Sequence, residues 1–452
     1  MKQNIFPKIV LIAGIVIFAS VFLFARALIS IAFITIIILF FVNRDFSFDK
    51  SKFQRYMPLL FLLAAGVVIN AAYLYGYTIY DKSIILKELV AYTNPIIIVI
   101  YTYSLGYFLS QNKKLADYLL WSYLTVTVLF SLLCFIKFLY SSNIDLIGVY
   151  GTFGHGPDVQ GVIAFTFPFV SVCFLNLALK SSKIRNKLIF LLSVLLVIFT
   201  DLFINTSKVG YIIEVFVLVY YAFVFIKNYS IQTNTNALSI KKMLIMTFLS
   251  LLALTFIFSF AYKKSQIFHD KTSEFTKSIV RIFESNGYSK IERKNLEQQS
   301  TGLRMIYYIS SIEIFKKYPN VFIWGCSFTG NTPDLNYCTQ NLIENNQQLQ
   351  ANPMVLKNQP IEPHNEFINY TFRGGIFSAL CLLMFFISLF YITKNLPLQD
   401  RFGVRVFILG YFIASLTGYY LSTQYEVSMF FTLLAIFLSK IEQKKDSHYE
   451  IF

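Results

Sequence analysis

The sequence predicts an all-α, polytopic membrane protein with about 12 transmembrane helices and one large loop on the outer side. The 452-residue chain is 56% hydrophobic and 14% charged, with a mean hydropathy of +0.59. Soluble domains contain roughly 25% charged residues, so this composition does not suit one. Apolar runs near the ~20 residues needed to cross a bilayer recur along the chain, and basic residues cluster between alternate runs.

Nine predicted spans precede a long polar segment and three follow it. We therefore divide the chain into an N-terminal transmembrane bundle at residues 1–262, a loop or cap with short helices at 263–370, and C-terminal transmembrane helices with a cytoplasmic tail at 371–452. The predicted spans are residues 8–25, 27–42, 57–77, 85–109, 116–139, 159–179, 188–204, 209–227, 243–262, 371–393, 403–420 and 427–440.

The distribution of Lys and Arg sets the predicted orientation. With the N-terminus in the cytoplasm, the inside segments hold 21 basic residues, and the short outside segments with the outer halves of helices hold five. The other 13 lie in the long outer segment, which is not counted because long loops cross the membrane regardless of charge. Because cytoplasmic loops are enriched in Lys and Arg, both termini are predicted inside and the long loop outside. This bias also explains the net charge of +15 without a nucleic-acid partner.

The long outer loop contains the first candidate site residue. Residues 301–318 have helical spacing of apolar side chains and end before Pro319, which places Arg304 in the first turns of a helix. A guanidinium at a helix start suits an anion, although a solvated surface arginine has the same pattern. The polar stretch at residues 331–358 is expected to be irregular. Cys326 and Cys338 share this loop, and the sequence alone does not decide whether they form a disulfide.

Lys208 lies in a tight outer turn, in the segment Asn205-Thr206-Ser207-Lys208. A lysine so close to the hydrocarbon boundary either has a partner or extends its amine towards water. Lys208 is therefore a second candidate for binding an anion.

His364 and Asn365 lie where the outer loop re-enters the membrane, and Arg373-Gly374-Gly375 follows. A histidine here can accept a proton near neutral pH, and an asparagine can hydrogen-bond a sugar. The simpler interpretation is that His364 caps the next helix and packs.

The glycine-rich outer segment at residues 151–158 contains His155 and Asp158. These two residues and Arg373 are candidates for lining a substrate cleft. A flexible turn is the simpler interpretation of the segment. A metal site formed by His155, Asp158 and His364 has no support from metal-ligand spacing, so we predict no metal.

Taken in order, these segments resemble the bacterial O-antigen ligase and polymerase family. The family's most recognisable sequence is His-Asn, nine residues and a glycine-rich helix start, which His364-Asn365 and Gly374-Gly375 match, with Ser378 in place of a further glycine. The family's loop arginine, proline and glycine correspond to Arg304, Pro319 and Gly325. Its earlier Thr/Ser-Arg turn resembles the Lys208 segment, with lysine in place of arginine.

The resemblance implies a metal-independent, inverting, GT-C-like glycosyltransferase of the bacterial inner membrane, without a cofactor. Such enzymes move a glycan from an undecaprenyl-diphosphate carrier to an acceptor hydroxyl on the periplasmic side. The implied roles are diphosphate binding by Arg304 and Lys208, and acceptor activation by His364 with support from Asn365. The partners would be the carrier-linked donor, the lipid A–core or growing-glycan acceptor and the bilayer.

The resemblance leaves the acceptor open. The His-Asn and glycine signature favours a ligase that acts on lipid A–core over a polymerase that joins carrier-linked repeats, and over an enzyme that glycosylates proteins. A transporter is the alternative of another class. The scarcity of paired charges within the predicted spans and the lack of a visible internal repeat argue against it.

Overall fold

A computed structural model describes residues 5–23, 25–43, 56–76, 94–140, 158–201, 210, 213–217, 259, 273, 300–330, 335–352, 355, 364–396, 398–418, 421 and 424–443. Every longer element in these residues is an α-helix. The helices are α1 (Ile5–Phe22), α2 (Arg26–Val42), α3 (Met57–Gly76), α4 (Pro95–Gln111), α5 (Lys113–Tyr140), α6 (Asp158–Lys180), α7 (Ile184–Phe199), α8 (Ser300–Lys317), α9 (Pro319–Trp324), α10 (Leu335–Glu344), α11 (Gln347–Ala351), α12 (Glu366–Ile392), α13 (Leu398–Thr417) and α14 (Gln424–Gln443).

Within the described part of the chain, six helices are long and apolar enough to cross a membrane, and two further apolar helices are slightly shorter. The chain is therefore a helical membrane protein. The predicted total of 12 spans stays a prediction, since most of the segments at 209–227 and 243–262 lies outside the described residues. The six helical stretches are Ile5–Phe22, Met57–Tyr75, Lys114–Lys137, Gly161–Lys180, Glu366–Ile392 and Gln424–Ile441.

The described residues form two compact units. The first contains α1 to α4, the start of α5, α8 to α12, the end of α13, and α14. The second contains the rest of α5, α6, α7 and the start of α13. Aromatic side chains form the core of the second unit, where Phe165 packs edge-on against Tyr411 with ring centroids 4.8 Å apart.

Polar contacts fix the directions of helices in the first unit. At one end, the side chain of Gln424, the first residue of α14, donates a 3.0 Å hydrogen bond to the carbonyl of Arg26, the first residue of α2. At the other end, Lys440 near the end of α14 forms an ion pair with Asp117 in the start of α5. The starts of α2 and α14 therefore share one end, and the start of α5 lies at the opposite end.

Helices α8 to α11, which we call the cap, share an apolar core centred on Ile306, Ile314, Cys338 and Leu342. The expectation that residues 331–358 are irregular was wrong, because α10 and α11 lie there. Asn346 caps α11 by accepting hydrogen bonds from the backbone N–H groups of Gln348 and Leu349. A disulfide between Cys326 and Cys338 joins the turn after α9 to α10.

The glycine pair in α12 lets the cap backbone touch the membrane helix. Gly375 has φ +74°, a conformation that L side chains rarely adopt, and Gly374 is also non-helical. A Cβ on Gly375 would lie 2.0 Å from the carbonyl oxygen of Ile323 in α9. This crossing therefore requires glycine at position 375.

The turn after α9 completes the same crossing. The backbone N–H of Cys326 donates a 2.7 Å hydrogen bond to the carbonyl of Phe372. Gly325, with φ +84°, faces the carbonyl of Arg373, where a Cβ would lie 2.9 Å from the oxygen. Ser378, at the position where the resemblance expects glycine, donates to the carbonyls of Tyr370 (2.5 Å) and Gly375 (2.8 Å), on the two sides of Gly374. The family departure at Ser378 is thus compatible with the kink.

Candidate active site

Arg304 lies where the sequence predicts it, early in a cap helix. Helix α8 begins at Ser300 and ends at Lys317, and the side chain of Arg304 is exposed. The turn before Pro319 ends the helix because proline disfavours helical geometry in the residue before it. An exposed guanidinium on a fixed helix can meet an anionic ligand without first breaking a buried ion pair.

His364 and Asn365 form the start of α12. The side-chain oxygen of Asn365 accepts hydrogen bonds from the backbone N–H groups of Phe367 (2.9 Å) and Ile368 (3.1 Å), so Asn365 is the helix cap. Its amide nitrogen donates to the carbonyl of Leu416 at 3.1 Å. The role of Asn365 supported by these contacts is to hold the chain beside His364.

The backbone of His364 is held in an unusual conformation. Its φ is +41°, the one positive φ among the described non-glycine residues. Such a conformation costs a non-glycine residue about 1–2 kcal/mol. The Tyr308 hydroxyl shares its proton between the carbonyls of His364 (3.1 Å) and Leu416 (2.9 Å), and the Asn365 side chain also hydrogen-bonds this hydroxyl. This network offsets part of the strain and ties the cap helix to the start of α12.

The surroundings of His364 favour the neutral form of its imidazole. The imidazole of His364 is half-buried beside the ring of Tyr307, with centroids 5.8 Å apart. Burial, and then the nearby positive charge of Arg304, lower the pKa of His364 from 6.5 to about 4. His364 is therefore unprotonated at neutral pH and can accept a proton. Burial also raises the pKa of Tyr308, which keeps its hydroxyl protonated as a donor.

The structure describes some of the other candidate residues. Arg373 is half-buried in α12, two turns beyond the start of the helix, at the crossing with Gly325. Asp158 is the first residue of α6, but its side chain is outside the described part. Lys208 and His155 lie outside the described residues, so their placement in the site stays a prediction.

Metal binding also stays untested at His155. Among the described residues there is no group of three or more His, Cys, Asp or Glu side chains that could hold a metal ion. The grouping of His155, Asp158 and His364, for which metal-ligand spacing gives no support, includes side chains outside the described part of the chain.

Sequence reasoning missed two polar residues that support the site. Tyr308 follows Arg304 by one helical turn, so the (i, i+4) spacing on a predicted helix could have found it. Glu366 is fully buried at the start of α12, and its carboxylate accepts a 2.7 Å hydrogen bond from the backbone N–H of Leu421. An acidic residue in the first turn of a helix is a common stabilising pattern, so Glu366 carried no distinctive signal.

The fold and site define a helical membrane protein whose cap brings a cation and a neutral histidine together at the start of a membrane helix. Residues 190–383 match the family model described as O-antigen ligase. This match confirms the resemblance of the motifs to that family and supports an enzyme of the ligase or polymerase type. A search of curated proteins finds no match. The matched region includes Lys208, Arg304 and His364.

Proposed function

We propose that this protein is an O-antigen ligase-type glycosyltransferase. It transfers a glycan from an undecaprenyl-diphosphate carrier to a hydroxyl group of lipid A–core, on the periplasmic face of the bacterial inner membrane. The observation that carries the proposal is that Arg304 lies close enough to His364, where the cap meets the membrane helix, for its charge to help keep the imidazole neutral. The guanidinium of Arg304 suits the leaving diphosphate, and the imidazole of His364 suits the attacking hydroxyl.

Arg304 binds the diphosphate of the donor in this proposal. As the bond between the anomeric carbon and the phosphate oxygen breaks, negative charge grows on the leaving diphosphate. A guanidinium that is already in place stabilises this charge without reorganisation at the moment of reaction. Lys208, from the sequence resemblance, adds a second positive charge, but as a point charge without the two-pronged fork of arginine.

His364 accepts the proton of the acceptor hydroxyl. The acceptor oxygen forms the new bond to the anomeric carbon from the side opposite the diphosphate, so a single displacement inverts that carbon. A pKa of about 4 makes the imidazole a weak base in the empty site. Since the charge of Arg304 helps to lower this pKa, a bound diphosphate would offset that charge and raise the basicity of His364 when the donor arrives.

The predicted topology suits this chemistry. Glu366 at the start of α12 contacts Leu421 just before α14, so the cap lies at the end of the first unit where α14 begins. Lys440 and Asp117 lie at the opposite end. Basic residues favour the cytoplasm, so an inside position for Lys440 supports a periplasmic cap and cytoplasmic termini. Metal independence in the proposal comes from the family resemblance.

The main alternative is an O-antigen polymerase, which would use the same two groups on an acceptor that is itself carrier-linked. The family match supports both activities. We favour the ligase because of the His364-Asn365 and Gly374-Gly375 signature. A protein-glycosylating enzyme and a transporter rank below these two.

A lipopolysaccharide gel tests the proposal in cells that lack the gene. The strain is complemented with wild type, His364→Ala or Arg304→Ala, and with His448→Ala and Arg185→Ala as matched controls outside the proposed site. We expect wild type and controls to restore polymer ladders on lipid A–core, and both site variants to leave the polymer on its carrier. General-base loss typically lowers a rate by about 10²–10⁴-fold, enough to remove the ladder.

Other outcomes identify the alternatives. Single repeats on lipid A–core without ladders would identify a polymerase. Full ladders with either site variant, at equal protein level, would overturn the assigned roles. Purified protein in liposomes with a carrier-linked donor separates the last two classes, because a transferase forms a new glycosidic bond and a transporter only moves its substrate.

The same complementation tests Lys208. We expect Lys208→Arg to retain ladders and Lys208→Ala to weaken them, because only the charge is needed for diphosphate binding. Loss of ladders with both variants would instead point to a geometric requirement for lysine.

A further inference from the structure

The cap carries an apolar face next to a membrane-spanning helix. Consecutive residues at the end of α9 expose large parts of their side chains, with Phe322 at 38%, Ile323 at 43% and Trp324 at 60%. Phe328, in the turn that follows, is 37% exposed. A soluble cap surface would rarely place four large apolar side chains so close together without a partner.

The depth of this face follows from its contacts with two membrane helices. Ile323 and Trp324 touch α12 at Gly375, nine residues after the helix begins, or about 13 Å along its axis at 1.5 Å per residue. The neighbouring Gly374 faces Ile69 of α3, seven residues before that helix ends at Gly76, or about 10 Å from the end. Both helices thus place α9 below their ends.

The length of α12 refines this depth. The helix has 27 residues, whereas ~20 residues cross the hydrocarbon core, so about seven residues extend beyond it. If they lie at the cap end, the hydrocarbon boundary falls close to Arg373 and Gly374. The exposed α9 residues then lie level with the lipid headgroups and the upper acyl chains, where tryptophan is enriched.

The face is also continuous with membrane-exposed surface. Phe328 packs against Tyr75 at the end of α3, with ring centroids 5.6 Å apart. Tyr75 and the preceding Leu74 are themselves exposed on a helix long and apolar enough to span the bilayer. On α12, Phe377 is exposed just beyond the kink.

We propose that Phe322, Ile323, Trp324 and Phe328 form a lipid-contact surface that anchors the cap in the outer leaflet of the bilayer. Its partner is the interfacial region of the membrane lipids, with acyl chains against the three apolar side chains of α9. The glycine crossing at Gly375 fixes this surface to α12, and the Cys326–Cys338 disulfide fixes it to the rest of the cap. The inference concerns the membrane position of the cap and does not depend on the proposed reaction.

Tryptophan fluorescence provides a direct test, since the chain has only two tryptophans, Trp121 and Trp324. The variant Trp121→Phe leaves Trp324 as the single reporter in full-length protein in liposomes. We expect blue-shifted emission that is strongly quenched by lipids brominated near the headgroup end of the acyl chain. Lipids brominated near the bilayer centre should quench it less, and aqueous iodide should have little effect.

Two matched variants calibrate this measurement. Trp324→Phe leaves Trp121, which is exposed on the membrane-spanning α5 and should be quenched by brominated lipid. Gln347→Trp in a background without both native tryptophans places a reporter on the polar, exposed α11 of the cap. Iodide should quench this reporter, and brominated lipid should spare it.

Two results would overturn the proposal. Quenching of Trp324 by iodide and not by brominated lipid would place the face in water. Protection from both quenchers would mean that protein covers it. Because neither readout requires glycan transfer, a failure here is distinct from a failure of the ligase assignment.

Discussion

The hydroxyl of Tyr308 lies 3.1 Å from the backbone carbonyl oxygen of His364. Tyr308 is one helical turn after Arg304 on α8, and His364 immediately precedes the cap of α12. A single phenol therefore links the helix that carries the cation to the backbone of the histidine. Because catalysis depends on the relative position of groups that act together, this hydrogen bond is expected to influence the rate.

Replacement of Tyr308 by phenylalanine tests this link. The ring remains, but the hydrogen bonds to the carbonyls of His364 and Leu416 are lost, at a cost of about 1 kcal/mol. We expect glycan transfer in liposomes to fall by about fivefold, mainly in the maximal rate, as that cost would imply if it appeared in the transition state. A lower protein yield without a change in specific rate would assign Tyr308 to folding alone.

Tyr318 offers a matched control for this variant. Its hydroxyl also donates to a backbone carbonyl within the cap, that of Leu342, at 3.0 Å. The variant Tyr318→Phe removes the same chemical group and the same kind of hydrogen bond away from His364. We expect it to lower the thermal stability of the cap by a similar amount while the specific rate is retained.

The low pKa of His364 predicts that chemical modification of its imidazole depends little on pH between about pH 7 and about pH 5. Diethylpyrocarbonate modifies neutral imidazoles, and a protein without His155, His269 and His448 leaves His364 as the one histidine, whose modification is followed by the absorbance of the carbethoxylated imidazole. With a pKa of about 4, the modification rate should stay nearly constant from about pH 7 to about pH 5. An ordinary histidine, with a pKa near 6.5, would lose over an order of magnitude of its rate in that range.

The contribution of Arg304 to the lowered pKa of His364 can be tested with Arg304→Gln in the protein that lacks the other three histidines. Arg304 is the second cause of the lowered pKa after burial, so its removal should raise the pKa of His364 without restoring 6.5. The acid limb of the modification profile should then move to higher pH. An unchanged profile would show that the guanidinium does not act on this imidazole.

The sequence was informative where local rules decide the structure. Proline at 319 ended α8, and apolar periodicity placed Arg304 near its start. The polar composition after residue 331 led to the wrong expectation of irregular structure. Helix α10 buries only one face, with Cys338 and Leu342 inward and exposed polar residues outward. The link from Tyr308 to His364 spans 56 residues, so it depends on tertiary packing that no local pattern reports.

The disulfide predicts a specific labelling pattern. Cys134, Cys173 and Cys381 are buried, whereas Cys326 and Cys338 are joined in the cap. In cells with a permeabilised outer membrane, a membrane-impermeant maleimide should label the protein only after mild reduction. Labelling should disappear in Cys326→Ser/Cys338→Ser. Labelling that requires rupture of the inner membrane would contradict a periplasmic cap, and labelling without reduction would contradict the disulfide.

The same serine pair should destabilise the cap. The two cysteines are 12 residues apart, and closing a loop of similar length stabilises a fold by about 3 kcal/mol. We expect a lower midpoint of thermal unfolding in detergent. The matched pair Cys134→Ser and Cys173→Ser leaves the Cys326–Cys338 disulfide in place, so its midpoint should still fall when reductant is added, as in wild type. The midpoint of the Cys326→Ser/Cys338→Ser variant should not respond to reductant.

The crossing of α9 and α12 predicts that Gly375 and Gly330 respond differently to alanine, although both have positive φ. At Gly330 a Cβ meets nothing within 4 Å, so Gly330→Ala should cost only the backbone strain, about 1–2 kcal/mol. At Gly375 the same strain adds to a Cβ that would lie 2.0 Å from the carbonyl oxygen of Ile323. Backbone cannot move aside as a side-chain end can, so Gly375→Ala should cost more than about 4 kcal/mol.

Yield and thermal unfolding in detergent measure the difference. Equal effects of the two variants would mean that conformation, and not the close approach of the cap, is the reason for glycine at 375.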